Sequence, residues 1–116
     1  MPYNDLRKGR HSAAGMAYHV IATTAERRPY FLDWRTGRIV VRHLALLEHE
    51  GVAETLCFVV MPDHLHWLMI LRQGTLGEAM RRLKARASRE FGKSLWQTNF
   101  YDHAVRADEG LRVLAR

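Results

Sequence analysis

Apolar positions along the chain follow two periods, and the change from one to the other marks out the elements. Ala17-Tyr18-His19-Val20-Ile21-Ala22-Thr23-Thr24 is short and rich in β-branched residues, as a strand is. Arg27-Arg28-Pro29 breaks it. Asp33 is placed to cap a helix from about Trp34 to Glu50, in which Val40, Leu44 and Leu47 recur at i, i+4 and i+7 on one face. Gly51 is suited to ending that helix. Residues 52–60 and 64–71 read as two apolar strands joined by the Met61-Pro62-Asp63 turn, in which proline presets φ and aspartate can bond its own backbone. A joint this short makes them antiparallel neighbours. Their nearly unbroken apolar character predicts that both are central in the sheet.

Gly74 ends the second of these strands. Thr75-Leu76-Gly77-Glu78 then has the spacing of a capping box. Leu76, Met80, Leu83, Ala87 and Phe91 form the apolar side of the helix that follows, and Gly92 stops it. Residues 100–106 read as a fourth strand. Asp108-Glu109 begins a third helix whose apolar face is Leu111, Leu114 and Ala115. The first six elements in order, strand–helix–strand–strand–helix–strand, predict an α+β ferredoxin-like sandwich: an antiparallel sheet with helices 34–50 and 76–91 on one face. The third helix reaches Arg116 after barely two turns, without Gly, Asn or Pro, and predicts that the natural element runs on.

The chain has 116 residues, 47% of them apolar and 26% charged, enough for one core and one domain. Residues 1–15 are polar and glycine-bearing and read as a basic arm. No apolar run approaches the ~20 residues of a membrane span. The N-terminus lacks the apolar stretch of a secretory signal. The single cysteine, Cys57, leaves no disulfide framework within the chain and points to a reducing cytoplasm.

Charge alters the picture. The net +6 is unevenly spread: residues 45–71 contain no Lys or Arg and carry −4, whereas residues 24–42 carry +3 and residues 72–93 carry +5. Basic segments around an acidic centre fit a polyanion lying on one face, nucleic acid being the commonest; a solvated helix face explains them equally well. Arg82, Arg86, Arg89 and Lys93 recur at spacings of 4, 3 and 4, as one stripe along the second helix that can follow a phosphate backbone. Arg7, Lys8 and Arg10 of the arm, the pair Arg27-Arg28, and Lys84 are further candidate DNA contacts. Trp67 reads as core, while Trp96 is open between core and base stacking.

Met61-Pro62-Asp63-His64-Leu65-His66-Trp67-Leu68 carries the candidate chemistry. On a strand His64 and His66 face the same way, about 6.6 Å apart along the chain, while Leu65 and Trp67 face the core. Two such imidazoles can chelate one divalent ion if a third ligand arrives from a neighbouring element. An isolated H-x-H arises readily by chance among seven histidines; the preceding turn and the apolar strand around this one make it specific.

The block Val60-Met61-Pro62-Asp63-His64-Leu65-His66-Trp67-Leu68 resembles the HUH block of REP-associated tyrosine transposases, single-strand DNA transposases of the HUH endonuclease superfamily. Tyr18-His19-Val20 with Arg27-Arg28-Pro29 resembles that family's first strand and following loop. Arg82-Leu83-Lys84, Leu95-Trp96-Gln97 and Phe100-Tyr101-Asp102-His103-Ala104-Val105-Arg106 resemble later segments. The resemblance implies metal-dependent cleavage and joining of hairpin-containing single-stranded DNA. His64 and His66 would hold Mg²⁺ or Mn²⁺, and a tyrosine would form a 5′-phosphotyrosine and free a 3′-OH. It implies a partner, single-stranded DNA with a hairpin, met by a monomer or homodimer. The family's Tyr-Ile-x-x-Asn-Pro stretch, with its nucleophile and a possible third ligand, is expected just past Arg116, so the 116-residue chain itself is expected to be inactive in cleavage. Tyr101 is the only internal tyrosine to test in that role, and a poor fallback. Tyr18 reads as sheet packing. His19 reads as a satisfied core histidine ahead of a group behind the metal ligands, and His103 as a polar strand end ahead of a group near the metal. The alternative function is a non-catalytic nucleic-acid-binding module on the same scaffold, for which the aromatic RNP stretch is missing; a metal-independent structural domain is the third.

Overall fold

The computed structural model describes residues 14–105, with side chains through Tyr101. The expected basic arm, with Arg7, Lys8 and Arg10, and the expected third helix lie outside the described residues. Within them the order is β1 (Ala17–Thr24), α1 (Trp34–His49), β2 (Ala53–Met61), β3 (His64–Leu71), α2 (Leu76–Phe91) and β4 (Trp96–Val105), with two short 3₁₀ turns between β1 and α1. The four strands form one antiparallel sheet in the order β2-β3-β1-β4. This is the expected ferredoxin-like sandwich.

Local chemistry fixes the helix starts. The Arg35 backbone N–H donates to Asp33 Oδ1 at 3.0 Å, capping α1. At α2 the Glu78 backbone N–H donates to Thr75 Oγ1 at 3.1 Å, and the Thr75 hydroxyl donates to Glu78 Oε1 at 3.1 Å. Gly92 ends α2 at φ 96°, a left-handed conformation that costs glycine little.

The core lies between the helices and one sheet face. Val40, Leu44 and Leu47 of α1 and Leu76, Met80 and Leu83 of α2 pack against Val20 and Ala22 of β1 and Leu65, Trp67, Met69 and Leu71 of β3. Trp67 is fully buried and donates its indole N–H to Thr55 Oγ1 at 2.9 Å, the usual arrangement for a buried tryptophan. Tyr18 is in the same core, as its alternation predicts. Trp96 joins it at 6% exposure and contacts Phe31, which settles its open role as packing rather than base stacking.

One expectation is corrected. Strand 64–71 is central, but strand 53–61 is an edge; the second central strand is β1. The apolar run of β2 is not explained by burial, since Leu56, Phe58, Val59 and Met61 remain 39–52% exposed. An apolar run reports the faces of a strand and not its neighbours, which is why it misplaced β2.

Trp67→Ala should cost about 3–5 kcal/mol of stability, because it opens a large cavity and leaves Thr55 Oγ1 without its donor. Urea unfolding followed by circular dichroism measures this. A loss below about 1 kcal/mol would show that the core does not centre on this ring.

Candidate metal centre

The sheet face away from the helices carries the histidines. Register fixes this: Ile21 of β1 sits opposite His66 of β3, Thr23 opposite His64, and His19 opposite Leu68. Residues paired across an antiparallel ladder share a face, so His19, Ile21, Thr23, His64, His66 and Leu68 all lie on it. The ladder extends the row to Val59 of β2, opposite His66, and to Tyr101 of β4, opposite Ile21.

His64 and His66 converge. Their Nε2 atoms lie 3.1 Å apart. Two nitrogens each about 2.1 Å from one ion and at a right angle around it lie roughly 3.0 Å apart, so the observed separation fits a shared cation. Behind this pair, each ring meets a further group through Nδ1. His64 Nδ1 is 2.8 Å from Asp63 Oδ1, and His66 Nδ1 is 3.1 Å from His19 Nε2. Among the described residues no three His, Cys, Asp or Glu side chains are grouped so as to hold a single ion.

The loop after β1 sets Asp63. The Thr24 backbone N–H donates to the Asp63 carbonyl at 2.9 Å, and the buried Thr24 hydroxyl lies within bonding distance of the same oxygen and of the Arg28 carbonyl. The Phe31 N–H donates to the Pro62 carbonyl at 3.0 Å. Glu26 and Arg27 both take φ of 54°, a left-handed conformation unfavourable for residues with a Cβ. That turn brings Arg27 Nε to 3.1 Å from Asp63 Oδ2. Asp63 therefore joins Arg27 to His64. The His64 ring, and after it the Arg27 guanidinium, hold the Asp63 carboxyl below its ordinary range against the opposing effect of burial. For His66, burial and then the neighbouring His64 push the pKa down.

Beside the pair is an open hollow of about 450 Å³, lined by His19, His66, Cys57, Val59, Met61 and Leu68. Tyr101 is 72% exposed on the same face, two strands from His66. Two strand spacings amount to roughly 9.6 Å between backbones. Tyr18 faces the core instead. β4 places His103 opposite His19 in the ladder; its side chain lies outside the described ones.

The basic residues are distributed differently from the single face that the charge pattern suggested. α2 packs on the opposite side of the sheet, so Arg82, Arg86, Arg89 and Lys93 belong to the helical layer. Arg86 pairs with Glu50, its Nη1 lying 2.8 Å from each carboxylate oxygen. Lys93 Nζ lies 5.5 Å from the Tyr30 ring centre. Arg27 and Arg28 sit at the sheet end beside Asp63, Arg28 being 3.5 Å from Glu26. Lys84, expected as a DNA contact, also has partners within the fold. Its ammonium donates to the carbonyls of Gln97, Thr98 and Asn99 at 2.8, 3.3 and 3.1 Å, and so uses all three hydrogens to hold the start of β4. Burial pushes its pKa down to about 8. The sequence gives no sign of this, because nothing local marks carbonyls that a distant strand will present.

The fold thus places paired imidazoles on the bare face of an α+β sandwich. The sequence matches the family "Transposase IS200 like" over residues 12–106, and the chain belongs to that family. No curated relative matches it. Among solved structures it is similar to a REP-associated tyrosine transposase bound to a REP hairpin, with 22% identity and a TM-score of 0.76 over 90% of this chain. It spans 65% of that protein's length. A protein of Deinococcus radiodurans assigned as a transposase matches with 20% identity and a TM-score of 0.66, over 92% of each chain. At these identities the two structures support the fold. Among the described residues no helix is long and apolar enough to cross a membrane.

Lys84→Met, which keeps the aliphatic stem, should lower stability by about 1–2 kcal/mol through loss of the charge-assisted bonds to residues 97–99. It should leave the salt dependence of DNA binding unchanged. A normal urea midpoint with a flattened salt slope would return Lys84 to the DNA contacts.

Proposed function

We propose that this chain is the metal-binding, DNA-binding part of a single-strand DNA transposase that cuts and rejoins hairpin-containing DNA through a phosphotyrosine. One observation carries the reading: the Nε2 atoms of His64 and His66 lie 3.1 Å apart on an open sheet face. Family membership supports the reaction class.

In this reading His64 and His66 hold Mg²⁺ or Mn²⁺ through Nε2. When bound, the ion supplies Lewis-acid polarisation of a phosphodiester and stabilises developing negative charge. Asp63 accepts the His64 Nδ1–H, which fixes the tautomer that leaves Nε2 unprotonated. Arg27, anchored on Asp63 through Nε alone, holds positive charge beside the site, where a phosphate would arrive. The open face admits a single strand, whose phosphodiester the two histidines orient. A tyrosine oxygen then bonds to phosphorus, the bond to the 3′ oxygen breaks, and that oxygen leaves with a proton as a 3′-OH. The phosphotyrosine retains the bond energy, so rejoining needs no nucleotide cofactor. Arg82 and Arg89 of the helical layer, which have no ion-pair partner among the described residues, contact the phosphates of a hairpin that extends beyond the sheet. DNA in the cytoplasm is the setting this implies.

The alternative, a nucleic-acid-binding module without chemistry, predicts the same DNA affinity and no dependence on His64. Binding of a labelled hairpin oligonucleotide with a single-stranded flank, with and without Mn²⁺, separates the two. Mn²⁺ should strengthen binding to the wild-type chain and not to His64→Ala. Equal responses would favour the module.

Two further outcomes are expected. Replacing Arg82 and Arg89 together by alanine should weaken hairpin binding and lower the slope of log affinity against log salt by one to two units, at roughly 0.7–0.9 per phosphate contact. An unchanged slope would assign both to solvent. On a denaturing gel, the 116-residue chain with Mn²⁺ should give no covalent adduct through Tyr101, because attack needs reacting atoms within roughly 3–3.5 Å and Tyr101 stands two strands from His66. An adduct that disappears in Tyr101→Phe would place the nucleophile on β4.

A further inference from the structure

We infer that His19 is a positioning residue for the metal centre, acting through His66. The inference rests on the reading of His64 and His66 as metal ligands and assigns a role that neither the motif nor the family match supplies.

An imidazole bound through Nε2 has given that lone pair to the ion, and its hydrogen must be on Nδ1. For His64 the group facing Nδ1 is the Asp63 carboxylate, at 2.8 Å. For His66 the group facing Nδ1 is His19 Nε2, at 3.1 Å. With the hydrogen on His66 Nδ1, the one bonding role open to His19 Nε2 is that of acceptor. A ligand histidine whose second nitrogen is so anchored is fixed in both tautomer and ring orientation. The two ligands thus have matched supports from different elements: Asp63 from the turn before β3, and His19 from the neighbouring central strand β1.

Ring geometry agrees. The His19 and His66 ring planes differ by 24° with centroids 5.3 Å apart, so the rings lie nearly in line through the 3.1 Å nitrogen contact, while His64 and His66 meet edge-on at 72° and 4.8 Å. His66 is therefore held from both sides, and its Nε2 cannot turn from the His64 Nε2 without losing the His19 bond. The anchoring residue lies in the strand Tyr18-His19-Val20, 47 positions before the ligand it serves. Unlike Asp63, it also lines the hollow beside the site.

Binding of Mn²⁺ alone, read from the electron paramagnetic resonance signal of the free ion, tests this without any reaction. His19→Ala should weaken Mn²⁺ binding 10- to 100-fold, the range found when such supports are removed. His19→Gln, whose amide oxygen can take the place of Nε2 as acceptor, should recover most of that loss. His19→Leu, close in volume but without an acceptor, should not, and circular dichroism should show all three folded without metal. Recovery in Gln but not in Leu distinguishes a positioning role from packing. If all three variants bind Mn²⁺ as the wild type does, or if Leu and Gln behave alike, the assignment of His19 is overturned while the metal centre stands. If His64→Ala also binds like wild type, the metal reading itself fails and the role of His19 falls with it.

Discussion

The antiparallel pairing of β1 with β3 is the constraint on which the rest depends. Seven consecutive pairs, from Ala17 opposite Ile70 to Thr23 opposite His64, fix at once what each strand buries and what it leaves bare. Because side chains alternate with a period of two, one register puts Val20, Ala22, Leu65 and Trp67 under the helices and His19, Ile21, His64 and His66 on the open face. A slip by one residue would bury three imidazoles and expose the largest ring of the core. The burial that stabilises the fold therefore also holds the His64 and His66 nitrogens in place, and the candidate site needs no separate scaffold.

That coupling explains the division of the molecule into two chemical surfaces. Helices cover one sheet face and carry most of the described arginines on their outer side. The other face holds few charges, and its polar groups are concentrated near the end where β1, the loop after it and the 62–63 turn meet. Thr24 ties that end together by bonding the Asp63 carbonyl from its backbone N–H. The left-handed turn at Glu26 and Arg27 has the same consequence, since it brings a guanidinium to the carboxylate that supports His64. Backbone strain of this kind persists where surrounding bonds hold it, and it occurs here beside the proposed chemistry.

Much of this was legible in the sequence because it depends on local rules. The caps at Asp33 and Thr75, the stop at Gly92, the alternation through residues 64–71 and the convergence of His64 and His66 all follow from neighbours a few positions apart. What the sequence hid depends on partners far along the chain. The edge position of β2 was obscured by an apolar run that turns out to be largely exposed. His19 read first as a core histidine; only the pairing of β1 with β3 shows that it faces away from the core toward His66. Lys84 and Arg86 read as members of a basic surface, and their partners in the fold, residues 97–99 and Glu50, could not be seen from their neighbours in sequence. Trp96 was undecided for the same reason.

In the proposed function a divalent cation binds on the bare sheet face between His64 and His66. Paramagnetic broadening locates it most directly: substoichiometric Mn²⁺ is added to ¹⁵N-labelled protein and the loss of amide signals is followed residue by residue. Broadening should begin at residues 63–67 of β3 and 19–23 of β1, reach α1 and α2 last, and disappear in His64→Ala. Loss that starts at the carboxylates of the helical layer, Glu50 or Glu90, or that is the same in His64→Ala, would contradict the account.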